Sequence, residues 1–170
     1  MATLVYDFDY DFIKKQFERT YEERIGLTEA ILYSGAQIAI EEWVKAISDA
    51  DLIEYGDLID SIGVDKKGVV YRGGLPQVKV GAQGKDRKGV RNGLKLGVLN
   101  YGSSSIKGHF IQPKVQNSTD ASFRLIAQYI LDTFVETGKF PKITKQDLQP
   151  KKRAAKLIKQ RTASKKKKGR

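Results

Sequence analysis

Gly93-Leu94-Lys95-Leu96-Gly97-Val98-Leu99-Asn100-Tyr101-Gly102-Ser103, followed five residues later by His109-Phe110-Ile111-Gln112-Pro113, is the stretch from which the fold is read. Its first part has the apolar density of a short helix over 93–101, with a stop at Asn100-Tyr101-Gly102. A polar loop follows. Ile106 to Lys114 then reads as an extended segment that joins a sheet, because a Phe-x-x-Pro run disfavours helix before the proline. Downstream, Asp120 is expected to cap a helix whose apolar face is Phe123, Ile126, Ala127, Ile130, Leu131 and Phe134, with Gly138 ending it.

Upstream of the stretch the period changes. Val78 and Val80 alternate with Gln77 and Lys79, as in a half-buried strand. Ile62 and Val64, then Val69, Val70 and Tyr71, flank Asp65-Lys66-Lys67-Gly68, which predicts a hairpin turn; Gly73-Gly74-Leu75-Pro76 breaks the chain again. Residues 81–93 hold four glycines among basic and polar residues and predict a long, flexible, exposed loop. Further back, residues 28–48 carry the strongest helical signal. Ala30, Ile31, Ser34, Ile38, Trp43, Ala46 and Ile47 lie on one side, and Glu29, Glu41, Glu42 and Lys45 on the other. Ser34, Gly35, Ala36 and Ala39 would let another backbone approach closely, in the core or at a subunit contact. Residues 8–25 predict an earlier helix with Phe8, Phe12, Ile13, Phe17 and Tyr21 on one face, stopped at Gly26.

Four pieces of this sequence, in order, resemble the head–tail joining (tail-completion, or neck) proteins of tailed bacteriophages. Gly56-Asp57-Leu58-Ile59-Asp60-Ser61-Ile62 is similar to the family's Gly-x-Leu-x-x-Ser-Ile run, carried by Leu58, Ser61 and Ile62. Val78-Lys79-Val80-Gly81 is similar to its Val-x-Val-Gly strand, carried by Val80 and Gly81. Asn100-Tyr101-Gly102-Ser103 stands where the family has an acid, Tyr, Gly and Thr. Gly108-His109-Phe110-Ile111-Gln112-Pro113 stands where it has an Arg-Pro-Phe-Met-Arg-Pro run, matched at Phe110 and Pro113. The likeness covers about Leu27 to Gly138. It implies a ring homo-oligomer, a hexamer, around the DNA exit channel, with connector or stopper and tail-tube or terminator proteins as neighbours.

Composition narrows the alternatives. With 170 residues, the expectation is one domain with extensions. Zero cysteines exclude disulfides and thiolate chemistry and fit a reducing cytoplasm. No apolar run approaches the ~20 residues of a membrane span, and Met1 to Asp7 lack the pattern of a signal peptide. The net charge of +11 is unevenly laid out. Residues 1–60 hold 14 acids and 5 bases, residues 61–150 hold 6 acids and 15 bases, and residues 151–170 hold 11 bases and no acid. The −9 and +9 halves can pair within one molecule or between copies of a head-to-tail ring.

Catalytic and metal patterns are weak. Asp7-x-Asp9-x-Asp11 with Glu18 has calcium-loop spacing, but Phe12 stands where the loop needs glycine. Gly81-Ala82-Gln83-Gly84-Lys85 is too short for a P-loop, and as a backbone-clamping GxxG it follows a strand rather than a helix. His109 is the single histidine, without an acid within ten residues, and Ser103-Ser104-Ser105 has no nearby base. No catalytic residue, cofactor site or metal site is assigned.

Two basic features remain. Lys85, Arg87, Lys88, Arg91 and Lys95 form a loop that could contact DNA or a neighbouring ring. Lys151, Lys152, Arg153, Lys156, Lys159, Arg161, Lys165, Lys166, Lys167, Lys168 and Arg170 form a tail with no aromatic residue to stack on bases. Such a tail suits polyphosphate without sequence preference, or an acidic protein face. Ala154, Ala155, Leu157 and Ile158 give it a brief helical stripe that could fold on a partner.

The expected architecture is α+β. A small, mainly antiparallel sheet of three to five strands is packed by helices near 28–48 and 120–137. Residues 1–26 form a helical arm, 27–143 the domain and 144–170 an extended basic tail. The expected function is a non-enzymatic virion component at the head–tail junction, assembled in a bacterial cytoplasm. The alternative is a nucleic-acid-binding protein that acts through its tail.

Overall fold

A computed structural model describes residues 2–4, 21–49, 56–105, 107–155, 157 and 159. The elements are β1 (Ala2–Leu4), α1 (Tyr21–Asp49), α2 (Gly56–Ser61), β2 (Ile62–Arg72), β3 (Leu75–Ala82), α3 (Asn92–Tyr101) and α4 (Ile111–Thr137). They build an α+β fold with a three-stranded antiparallel sheet in the order β1-β3-β2. The expected arm over 8–25 falls largely outside the described residues, and so does the candidate calcium loop.

α1 is the central element because it is apolar in two directions. Its N-terminal half places Leu27 and Ile31 against Phe123, Ala127, Ile130 and Phe134 of α4. Its C-terminal half places Ile40, Trp43 and Ile47 against Ile62, Val64, Val78 and Val80 of the sheet. The small residues are used in the core: a Cβ on Gly35 would come within 2.3 Å of the Phe123 ring. Gly26 is not a stop. It lies inside α1, and a Cβ there would meet the Phe140 ring at 2.9 Å, so the glycine serves packing rather than termination.

The hairpin reverses at Gly73-Gly74 rather than at Asp65-Lys66-Lys67-Gly68. Arg72 pairs with Leu75, and both glycines have positive φ (58° and 82°), as a two-residue primed turn requires. The 65–68 run has real turn chemistry, with the Lys67 N–H donating to Asp65 Oδ1 at 2.8 Å and Gly68 at φ 70°. It forms a bulge, because Val64 and Val69 both stay on β3, opposite Val80 and Val78.

The segment expected to enter the sheet before the last helix does not join it. It makes only an isolated bridge between Gly102 and Lys107, and α4 already begins at Ile111. Asp120 therefore lies inside α4 and caps nothing. Pro113 sits in the first turn, where no helical N–H is needed. Gly138 does end α4, in the left-handed conformation, with its N–H donating to Phe134 O at 2.9 Å.

The chain after 143 returns to the domain instead of leaving it. Leu148 is buried and its carbonyl accepts the Val64 N–H at 3.0 Å. Lys145 Nζ donates to Lys66 O at 3.0 Å and Gln149 Nε2 to Val64 O at 3.1 Å. This covers the outer edge of β2, which would otherwise offer open backbone groups. The Gly63 position shows the contact, since a Cβ there would sit 2.7 Å from Pro150 N.

Candidate interaction surface

The decisive stretch folds into one corner, made by the end of α3 and the start of α4. Asn100 holds it. Its side chain is buried, Oδ1 accepts the Gln112 N–H at 2.7 Å, and its carbonyl accepts the Phe110 N–H at 3.0 Å. Leu99 O accepts the His109 N–H at 2.9 Å. Gly102, at φ 87°, closes α3 through its N–H to Val98 O at 2.7 Å. Gly108 is forced by contact: a Cβ would lie 2.6 Å from the Tyr101 carbonyl carbon. Ser103 Oγ accepts the Ser105 N–H at 3.4 Å within the loop.

Phe110 is the one described non-glycine residue at positive φ, 49°. Such a conformation costs roughly 1–2 kcal/mol. Its ring is 60 % exposed, so core burial does not offset the strain. Tyr101 stands nearby, 69 % exposed, its hydroxyl 3.3 Å from Gln112 Oε1.

The residues singled out in the sequence therefore separate into two kinds. Leu58, Ser61, Ile62, Val80, Gly81 and Asn100 are buried and organise the fold; Ser61 Oγ, for example, donates to Leu58 O at 2.7 Å. Tyr101, Ser103 and Phe110 are exposed on the corner. Gly102 and Pro113 shape the backbone between them.

The basic loop is more ordered than its glycines suggest. Asp86 Oδ1 accepts the N–H groups of Lys88 and Val90, each at 2.8 Å, and Lys95 pairs with the same carboxylate. The Lys95 ammonium and these N–H groups hold the Asp86 carboxyl below its ordinary value. Asn92 Nδ2 ties the loop base to Gln83 O at 2.8 Å. Lys95 is thereby committed inward, and Arg87 approaches Asp57 at 3.4 Å. Lys85, Lys88 and Arg91 are exposed. In the GxxG reading, Gly81 lies in β3 and Gly84 in this loop, so the helix-flanked clamp is not formed.

The start of the tail is built into the fold. Asp60 Oδ1 accepts the Arg153 and Ala154 N–H groups at 2.6 and 2.7 Å and so caps a helical turn, in which the Leu157 N–H reaches Arg153 O at 3.2 Å. Arg153 donates to Ile62 O at 2.9 Å. Burial pulls its guanidinium pKa down, against the opposing pull of Asp60 and Glu41. Arg153 is thus a structural residue. The partner of the Ala154–Leu157 stripe is this chain's own core. Lys151, Lys152 and Lys159 are exposed; Lys156, Arg161, Lys165 to Lys168 and Arg170 lie outside the described residues.

Two surface features escape a reading by sequence. A cleft of about 350 Å³ brings His109, Lys114 and Ser118 to Glu42, Lys45 and Asp49, so His109 has acids near it in space although none near it in sequence. The outer face of α3 is also apolar, as developed below. Among the described residues, no three His, Cys, Asp or Glu gather as a metal site, and no helix is long and apolar enough to cross a membrane. No family model, curated protein or solved structure matches this chain.

Proposed function

We propose that this chain is a structural subunit of the phage neck, forming a ring that joins the DNA-filled head to the tail, and that it works by docking rather than by catalysis. The observation that carries the reading is the corner. The two runs that give the clearest family resemblance, 100–103 and 110–113, meet through Asn100, and they leave Tyr101 and Phe110 exposed on a strained, hydrogen-bonded support. Strain and exposed aromatics together suit a contact surface better than a core role. Connector and tail-tube or terminator proteins would be the neighbours, with Lys85, Lys88 and Arg91 toward DNA or an acidic neighbour. Negative-stain microscopy of the protein, alone and with its neck partners, tests this: rings and labelled virion necks are expected. A strictly monomeric protein that never enters virions would overturn it.

A second reading rests on the 11 bases without an acid in 151–170. In that reading the protein binds nucleic acid through its tail, without sequence preference. Removing residues 156–170 separates the two. Loss of DNA affinity with intact particle assembly favours the second; arrest at the head–tail junction favours the first.

A further inference from the structure

Two apolar features of opposite character lie on separate elements. α3 has two apolar faces. Leu96 and Leu99 are buried, whereas Leu94, Val98 and Tyr101 recur at i, i+4 and i+7 on the other side. Leu94 and Tyr101 are 63 % and 69 % exposed, and a Cβ at Gly97 between them would meet nothing within 4 Å. A ridge of this kind on one helix face marks a contact site. Exposed bases border it: Lys88 and Arg91 before the helix, and Lys107 after it. The nearby acid, Asp86, is already paired with Lys95.

The second feature is a groove of about 360 Å³ along α1, with Ile40, Val44 and Leu157 in its lining. Glu41 and Asp49 are exposed on its rim, with Lys45 between them. Arg153, also in the lining, donates its guanidinium to Ile62 O. The rim is therefore acidic where the ridge is basic.

We propose that the α3 ridge of one copy seats in the α1 groove of the next. Leu94 and Tyr101 enter the apolar floor, and Arg91 and Lys88 meet Glu41 and Asp49. The occupant is a second copy because both halves of the match, apolar shape and opposite charge, are present on this chain and on different faces. A contact between two different patches propagates head to tail and closes into a ring when the rotation allows. The inference rests on the ring reading for the existence of an oligomer, and it names the surfaces that make it.

The chain has no cysteine, which makes disulfide trapping clean. The Leu94→Cys/Val44→Cys double variant, oxidised mildly, is expected to give a ladder of covalent oligomers on a non-reducing gel. Each single variant should stay a single chain, and a mixture of the two singles should stop at a linked pair. A disulfide dimer of Leu94→Cys alone would mean a symmetric contact and overturn the proposal. So would the absence of a ladder from a sample whose mass shows it to be oligomeric, which leaves the ring reading standing. A protein that is monomeric in every sample, virions included, overturns both.

Discussion

Asn100 stands where the neck proteins this chain resembles have an acid, and its hydrogen bonds show why either can serve. Only Oδ1 is used, by the Gln112 N–H; Nδ2 is buried with no partner among the described residues. Aspartate retains that acceptor, and its charge would sit at the N-terminal end of α4, where the helix favours an anion. We expect Asn100→Ala to cost ~1–2 kcal/mol, the range of a lost N-cap, and Asn100→Asp to cost less. Equal losses in urea unfolding would show that the acceptor is not what matters. Gly35 makes a second test. Its missing Cβ is filled by the Phe123 ring, so Gly35→Ala should destabilise by ~1–3 kcal/mol through overpacking, despite alanine's better helix propensity. The small-residue strip around Gly35 was legible in sequence, but its partner was not, because any large side chain on another helix could have filled the gap.

At the scale of elements, periodicity was readable and boundaries were set by contacts distant in sequence. The strand at 78–80, the short helix at 93–101 and the Gly138 stop follow from local pattern. The start of α4 does not, since its cap comes from Asn100 of another helix rather than from a residue beside it. β1 has three residues, too few for any period to show. The 65–68 turn signal was genuine, but pairing with β3 decided that it would bulge. The loop at 83–91 read as flexible because its organiser, Asp86, gives no periodic signal. That residue yields a pH prediction. Its folded pKa lies below the ordinary value of ~3.9, so its contribution is complete above that value and is lost as pH falls through the lower folded one. Hydrogen exchange at the Lys88 and Val90 amides should stay slow at mildly acidic pH and quicken only below the usual aspartate range. Asp86→Asn should quicken it at neutral pH. Exchange that accelerates already near pH 5 would mean that Asp86 does not hold the loop.

For the whole molecule, the informative error concerns where the domain ends. Composition marks 151–170 as a charged tail, and a reading by composition alone draws a boundary near 143. Packing places the boundary later. Leu148, Ala154 and Leu157 are spaced too widely to form a visible stripe, yet they close the core and the β2 edge, with Asp60 capping the turn. Two truncations follow. Removing 144–170 takes away one buried leucine and several backbone hydrogen bonds, and should cost ~3–5 kcal/mol on ordinary values for such groups. It should also expose β2 and promote aggregation. Removing 160–170 takes six bases and no large apolar residue. It should leave the urea midpoint nearly unchanged and weaken binding to duplex DNA, with the salt dependence of log K falling by up to ~5 if each base neutralises a phosphate. The two deletions thus assign stability to one part of the C-terminal segment and polyanion affinity to the other. Equal unfolding midpoints would place the fold boundary back near 143, and the groove on α1 would then lack the Leu157 wall on which the contact between copies depends.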